Sequence, residues 1–123
     1  MASLVLIKPD AVSCGMIGEI ISLFEQDYKI TQMRMLLAER ELLVQHYVEH
    51  VNKVFFTDLI RAMMEGHLVA LRVLGNWSQV RHRCTEFREA RKAICRGPYN
   101  LVHSSDSDTS ATCELKLWFP NAN

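Results

Sequence analysis

The chain has 123 residues, 49% apolar and 23% charged, which is the composition of an ordinary globular domain. Its 14 basic residues are balanced by 14 acidic ones, so no net field attracts nucleic acid or an anionic membrane. The four cysteines are scattered and form no C-x-x-C pair, which argues against a structural zinc site. The sequence has no long apolar run and no leader pattern, which argues against a membrane span and against secretion. We therefore expect one domain over residues 1–123, cytoplasmic and with reduced thiols.

Hydrophobic periodicity predicts the elements of the first half of the chain. Residues 4–7 form a short apolar run before a proline, which predicts a buried strand. Apolar positions spaced i, i+3, i+4 and i+7 predict a helix over residues 17–24, and alternation predicts a second strand over residues 29–37. Two further amphipathic helices are predicted over residues 41–51 and 55–64.

The second half continues with a strand over residues 68–74, a helix over 76–87, a strand over 99–102 and a last helix over 108–117. The path of residues 88–99 stays open. The order β-α-β-α-α-β-α-β-α is close to the split βαβ, ferredoxin-like plan with extra helices. We expect an α/β (α+β) sandwich in which helices cover an antiparallel sheet.

A β-prone run that ends on a histidine, Asn100-Leu101-Val102-His103, is followed at once by Ser104-Ser105-Asp106-Ser107. This layout can hold an imidazole at a strand end, orient it through hydroxyls and start a helix behind it. Such helix starts readily hold anions and phosphates. Taken alone, His103 is either a chemically active group or a polar residue in a turn.

Basic side chains are concentrated in one segment. It contains six of the fourteen lysines and arginines: Arg81, Arg83, Arg88, Arg91, Lys92 and Arg96. These residues fit a solvated helix face. They fit a phosphate site as well, because guanidinium groups suit phosphate oxygens.

Three landmarks, in this order along almost the whole chain, resemble the nucleoside diphosphate kinase family. The first is Leu6-Ile7-Lys8-Pro9-Asp10-Ala11-Val12. The second comprises His46-Tyr47, Phe55-Phe56, Leu59 and Met64-Glu65-Gly66. The third is the run from Asn100 to Ser107, followed by Ala111, Glu114 and Trp118-Phe119-Pro120.

The resemblance implies an α/β sandwich on a four-stranded antiparallel sheet. It also implies transfer of the terminal phosphate of a nucleoside triphosphate to a nucleoside diphosphate, by a ping-pong route through a phosphorylated histidine. Mg²⁺ would arrive on the nucleotide, with no metal ligands from the protein. The partners implied are nucleoside tri- and diphosphates and further copies of the chain, in a hexamer or smaller homo-oligomer.

The resemblance places His103 as the nucleophile. Neutral imidazole is in general a competent nucleophile near pH 7. Glu114 and Ser105 match the glutamate and serine that orient it. Lys8 matches a phosphate-contacting lysine, whose task is electrostatic. Tyr47 matches an active-site tyrosine, although packing on a helix is also open to it.

The remaining matches concern the nucleotide. Phe55 and Leu59 match the apolar pair that stacks on the nucleobase, and they fit ordinary core positions equally well. Arg83 and Arg96 match two phosphate-binding arginines. Asn100 matches the asparagine that contacts the ribose hydroxyl.

The chain also departs from the family pattern. The segment between Arg83 and His103 is about ten residues shorter than usual, more than a typical loop. Thr85 lies too close to Arg83 to stand for the family's phosphate-binding threonine. Ser104 replaces a glycine, and would be strained if that position needs a positive φ. These departures leave the alternative that the chain is a catalytically weak or inactive interaction module. Nucleic-acid binding through residues 81–96 is a third hypothesis, which the neutral net charge disfavours.

Overall fold

The computed structural model describes residues 1–121, and the end of the expected domain at residues 122 and 123 lies outside this range. Ten helices and strands, joined by short turns, follow one another along the chain: β1 (Ser3–Ile7), α1 (Pro9–Ser13), α2 (Ile17–Glu25), β2 (Lys29–Leu36), α3 (Arg40–His46), α4 (Phe56–Met63), β3 (Leu68–Leu74), α5 (Trp77–Ala90), β4 (Val102–Ser104) and α6 (Asp108–Trp118). Two single 3₁₀ turns cover Val48–His50 and Lys92–Ile94.

The four strands form one antiparallel sheet in the order β2-β3-β1-β4, which confirms the predicted fold class. β1 is a central strand and all five of its residues are buried. Its continuous apolar run is what a strand covered on both faces requires. Leu6 of β1 pairs with His103 of β4, so the candidate nucleophile is anchored to the middle of the core.

Helices cover both faces of the sheet. Successive side chains of a strand point to opposite sides, so a continuous apolar strand has two apolar faces to bury. Val5 and Ile7 pack with α2 and α5. Leu4 and Leu6 pack with α3, α4 and α6. Each face therefore has its own hydrophobic core, and α3, α4 and α6 lie on the same side as each other.

The fourth strand is displaced from its predicted position. We predicted residues 99–102, whereas β4 spans Val102–Ser104. Tyr99 instead closes a tight turn with Arg96 through an isolated bridge, and Leu101 has a φ of +75°, which breaks the extended conformation. His103 consequently lies within the strand and not after its end.

Helix boundaries differ in three places. Pro9 begins α1, a short helix that we did not predict, because a proline is tolerated in the first turn. The helix predicted over 41–51 ends at His46, and the chain continues as a 3₁₀ turn. α5 runs to Ala90, so a helix occupies the start of the segment left open.

Among residues 1–121, the structure contains no helix with the length and apolar character that crossing a membrane demands. All four cysteines lie in the described part of the chain, and each is a free thiol.

Candidate active site

His103 lies between two cavities and its side chain is 22% exposed. A cavity of about 590 Å³ extends from its ring between α6 and the end of α3. A smaller cavity of about 210 Å³ lies toward α5 and is lined by Lys8, Arg81, Arg88 and Asn100. The imidazole is therefore anchored in the sheet and accessible to a ligand.

The ring of His103 is held by a carboxylate from α6. Oε1 of Glu114 lies 3.1 Å from Nε2 of His103 and also accepts a hydrogen bond from Oγ of Ser105 at 2.9 Å. A carboxylate can only accept, so Nε2 carries the proton and Nδ1 keeps its lone pair. The hydroxyl of Ser105 is fixed in turn, because it accepts from the backbone N–H of Leu4 at 3.2 Å.

The start of α6 places Glu114. Ser107 is the N-cap, and its Oγ accepts the backbone N–H of Ser110 at 2.9 Å. Glu114 follows the cap by seven residues, which is two helical turns, so it returns to the side of the helix that faces β4. The hydroxyl-rich run after His103 thus starts the helix and supplies Ser105.

Lys8 is almost completely buried, with 3% exposure, at the end of β1. Its ammonium donates to the backbone oxygen of Pro98 and to Oδ1 of Asn100, each at 2.6 Å. Burial lowers the pKa of Lys8 to about 8; the nearby carboxylate of Asp10 opposes this shift and Arg88 adds to it. The ammonium is therefore mostly protonated at neutral pH and incompletely solvated, which favours contact with an anion.

Two arginines that we did not assign complete the small cavity. Arg81 and Arg88 are seven residues apart on α5 and share one helical face. The guanidinium of Arg81 donates to the backbone oxygen of Ser104 at 3.4 Å, and that of Arg88 donates to the oxygen of Val102 at 3.0 Å. With Lys8, they surround the cavity beside His103 with three cationic groups.

The structure does not bring Arg83 and Arg96 to this cavity. Arg83 pairs with Asp27 at 2.9 Å and lies 4.9 Å from the ring centre of Tyr28, on the α2 side of α5. Two residues span about 200° of a helix, so Arg83 and Arg81 point in opposite directions. Arg96 is exposed in the turn closed by Tyr99. The signal in the sequence for Arg81 and Arg88 was their separation of seven residues, which places two side chains on one face of a helix.

Tyr47 lies close to His103, with 6.3 Å between the two ring centres. Burial raises the pKa of Tyr47 far above its usual value, and the carboxylates of Glu114 and Asp10 raise it further, so the hydroxyl keeps its proton. Leu59 lines the small cavity. Phe55 does not: it is 46% exposed and packs against His50, with 5.6 Å between ring centres.

Backbone strain is present beside the site, at Leu101 and not at Ser104. Leu101 has a φ of +75°, which costs on the order of 1–3 kcal/mol for a residue other than glycine. Its N–H donates to Oδ2 of Asp10 at 3.0 Å, and its oxygen accepts the N–H of Lys8 at 2.9 Å. Ser104 lies in β4 with extended backbone, so the strain considered there is absent.

A second histidine, not assigned from the sequence, contacts the site. The ring centre of His46 lies 4.5 Å from that of His103, and Nδ1 of His46 is 3.0 Å from Nε1 of Trp118. One ligand atom from each of His46, His103 and Glu114 lies within 4.8 Å of the others, a possible transition-metal set. The indole N–H is only a donor, so neutral His46 carries its proton on Nε2 and has no lone pair there for a metal.

Sequence comparisons identify the family of the chain. The nucleoside diphosphate kinase family model matches residues 2–123. A nucleoside diphosphate kinase of Corynebacterium diphtheriae is 37% identical over 131 residues, covering 97% of this chain and 96% of that protein. One of Streptomyces coelicolor is 41% identical over 130 residues, covering 96% and 95%. Both alignments are longer than the 123-residue chain, so these relatives contain residues that it lacks.

Solved structures give the same result. A nucleoside diphosphate kinase of Halobacterium salinarum, in complex with CDP, superposes with a TM-score of 0.88 at 28% identity, covering 98% of this chain and 88% of that one. That of Encephalitozoon cuniculi gives 0.88 at 27% identity, covering 96% and 88%. The chain belongs to the nucleoside diphosphate kinase family, a family of nucleotide-binding phosphotransferases.

Proposed function

We propose that the chain moves the terminal phosphate of a nucleoside triphosphate to a nucleoside diphosphate through a phosphohistidine at His103. The contact between Nε2 of His103 and Oε1 of Glu114, 3.1 Å long, carries the proposal. It fixes the proton on the nitrogen that faces the carboxylate and leaves the other nitrogen nucleophilic. The relatives are named as kinases, so the alternative of a non-catalytic interaction module is not favoured.

In the first half-reaction, the lone pair of Nδ1 of His103 attacks the terminal phosphorus. A P–N bond forms, the bond from that phosphorus to the bridging oxygen breaks, and the nucleoside diphosphate leaves with the electron pair. Glu114 accepts from Nε2–H throughout and stabilises the positive charge that develops on the ring. The second half-reaction runs the same steps in reverse with a different nucleoside diphosphate.

The small cavity would bind the phosphates. Lys8, Arg81 and Arg88 bring three positive charges to a space of about 210 Å³ beside His103. Charge neutralisation is the main contribution a protein makes to phosphoryl transfer. We assign these contacts to Arg81 and Arg88 in place of Arg83 and Arg96, because only the former pair lines the cavity.

The nucleoside would extend from the phosphates along α4. Leu59 borders the small cavity, and the exposed ring of Phe55 offers a second apolar surface for the base. Stacking without contacts to base edges tolerates any base. Asn100, whose Oδ1 is held by Lys8, would present its amide group to the ribose. The hydroxyl of Tyr47 would donate a hydrogen bond close to the reacting phosphate.

The family uses a divalent cation with the nucleotide. We propose that it is Mg²⁺ and that it enters on the phosphates. Mg²⁺ prefers oxygen ligands, whereas the cluster of His46, His103 and Glu114 offers two imidazoles and one carboxylate. The negative phosphate charge that the cation does not balance would then be neutralised by Lys8, Arg81 and Arg88.

We also propose that the chain is a homo-oligomer. β2 is an edge strand of the sheet, and Met33 and Met35 on it are 58% and 57% exposed. Apolar side chains on an open edge favour burial against another copy. The cytoplasmic location stays a prediction from the sequence.

Labelling with a γ-³²P nucleoside triphosphate and Mg²⁺ tests the mechanism. The wild-type protein should carry an acid-labile, alkali-stable label and lose it to an added nucleoside diphosphate, whereas His103→Gln should carry none. His82→Gln is the matched control, because His82 is exposed on α5 and pairs with Glu86. A wild-type protein that takes up no label, or a labelled His103→Gln, refutes the phosphohistidine route.

A further inference from the structure

His46 is the last residue of α3 and packs between Tyr47, Trp118 and His103. Its ring meets all three rings edge-on, with centres 4.5 Å from Tyr47, 5.5 Å from Trp118 and 4.5 Å from His103. None of the contacts that build the phosphate cavity involves it. Its position directly behind the nucleophile therefore needs a separate explanation.

The hydrogen bond from Trp118 fixes where the proton of His46 lies. Nε1 of Trp118 can only donate, so Nδ1 of His46, 3.0 Å away, accepts. In the neutral ring the proton is then on Nε2. That nitrogen is shielded from solvent and has no hydrogen-bond partner among residues 1–121. A buried N–H without an acceptor costs free energy, so an acceptor within its reach would stabilise the protein.

The carboxylate that holds His103 is an acceptor close to this ring. Ligand atoms of His46, His103 and Glu114 lie within 4.8 Å of one another. Oε1 of Glu114 already accepts from Ser105 and from His103. A carboxylate accepts about four hydrogen bonds, so it has room for a further donor. A hydrogen bond from Nε2 of His46 would require the two side chains to approach further.

We propose that His46 is a positioning residue whose Nε2–H, oriented by Trp118, hydrogen-bonds Glu114 in the working enzyme and keeps that carboxylate on Nε2 of His103. Glu114 then has a donor from β4, through His103, a donor from Ser105 and a donor from α3. The proton of His103 stays on Nε2, and Nδ1 stays free to attack. This inference rests on the proposed function only for its kinetic consequence.

The charge state of His46 agrees with this role. Burial lowers the pKa of His46 well below 6.5, and His103, Lys8 and His50 lower it further. A protonated His46 would be a cation that competes with the neutral His103 ring for Glu114. The neutral ring instead supplies one directed N–H.

Three substitutions separate hydrogen bonding from packing. The amide of glutamine reaches the place of Nε2, so His46→Gln retains a donor toward Glu114. The shorter amide of asparagine ends near Nδ1, so His46→Asn loses that donor and retains a partner for Trp118. Trp118→Phe removes the bond that orients His46 and retains an aromatic ring.

The first readout is independent of activity. ¹⁵N NMR shifts of the His103 ring report which nitrogen carries the proton. We expect the Nε2–H form in the wild-type protein and in His46→Gln, and a mixture with the Nδ1–H form in His46→Asn and Trp118→Phe. A His103 ring that stays in the Nε2–H form in every folded variant overturns the inference.

The second readout is the steady-state rate of phosphoryl transfer through His103, resolved into kcat and KM. We expect His46→Asn to lower kcat roughly tenfold at unchanged KM, the size of one lost hydrogen bond to a charged group, and His46→Gln to restore most of it. Equal losses in His46→Gln and His46→Asn would mean packing alone and overturn the inference. A wild-type protein without transfer activity refutes the proposed function but leaves the NMR result to decide this inference.

Discussion

Glu114 and His103 belong to different elements, α6 and β4, and their side chains meet at 3.1 Å with Ser105 on the same carboxylate oxygen. The order of the three groups is hydroxyl, carboxylate, imidazole. Ser105 is completely buried and bonded to the backbone of β1, so the arrangement is rigid. A rigid acceptor is what a nucleophilic histidine needs to keep one tautomer.

Glu114→Gln should slow phosphorylation of His103 by about 10–100-fold, because an uncharged acceptor no longer stabilises the charge on the ring. Ser105→Ala should slow it about tenfold, because the carboxylate retains fewer donors. Rapid-quench measurement with a γ-labelled nucleotide gives both rates. An unchanged rate in Glu114→Gln would show that the contact is structural only.

Activity should fall on the alkaline side as Lys8 loses its proton. The pKa of Lys8 is lowered to about 8, so the cation is present below that pH and absent above it. We expect kcat/KM, which reports the free enzyme, to decline through about pH 8. Lys8→Arg keeps its charge in this range, so its decline should disappear although its overall activity is lower. A Lys8→Arg profile with the same alkaline limb would assign that limb to another group.

Arg81→Gln and Arg88→Gln should each raise the KM for nucleotide about 10–100-fold, the size of a hydrogen bond between charged groups. Arg83→Gln is the matched control, because it lies on the same helix and contacts Asp27 and Tyr28. Steady-state kinetics over a range of nucleotide concentrations separates KM from kcat. A larger effect in Arg83→Gln than in Arg81→Gln would restore the assignment made from the sequence.

The sheet and most helices follow from local periodicity, and this is why they were predictable. Continuous apolar strands and spaced helical stripes record burial residue by residue. β4 was misplaced for a physical reason: Leu101 has an apolar side chain typical of a strand, but Asp10 and Lys8 hold its backbone at a φ of +75°. A conformation imposed by distant residues leaves no local pattern.

The site divides in the same way. His103, Ser105 and Glu114 lie within twelve residues of one another, so strand, cap and helix spacing bring them together. Arg81 and Arg88 line the small cavity in place of the predicted Arg83 and Arg96, because the family pattern does not carry across a shortened segment. The sequence does not indicate a role for His46, because its hydrogen-bond partner Trp118 is 72 residues away.

Asp10→Ala should destabilise the fold by about 1–2 kcal/mol, because the N–H of Leu101 loses its acceptor and the strained turn loses a restraint. Urea denaturation at constant pH measures the change. Asp106→Ala is the control, because Asp106 is exposed in the turn before α6 and should have little effect. Equal stability of the two variants would show that Asp10 does not hold Leu101.

Replacement of both Met33 and Met35 by lysine should convert the protein to a smaller species. The two side chains lie two residues apart on β2, so they share one face of an edge strand and are both exposed. Adding two charges there should repel a second copy without disturbing the cores, which these side chains do not enter. Sedimentation velocity gives the mass of the species directly. Val54→Lys is the control, because it places a charge on an apolar and still more exposed side chain in the turn before α4, where we expect no change. A wild-type protein that sediments as a monomer, or a double variant that keeps the wild-type mass, would contradict association through this edge.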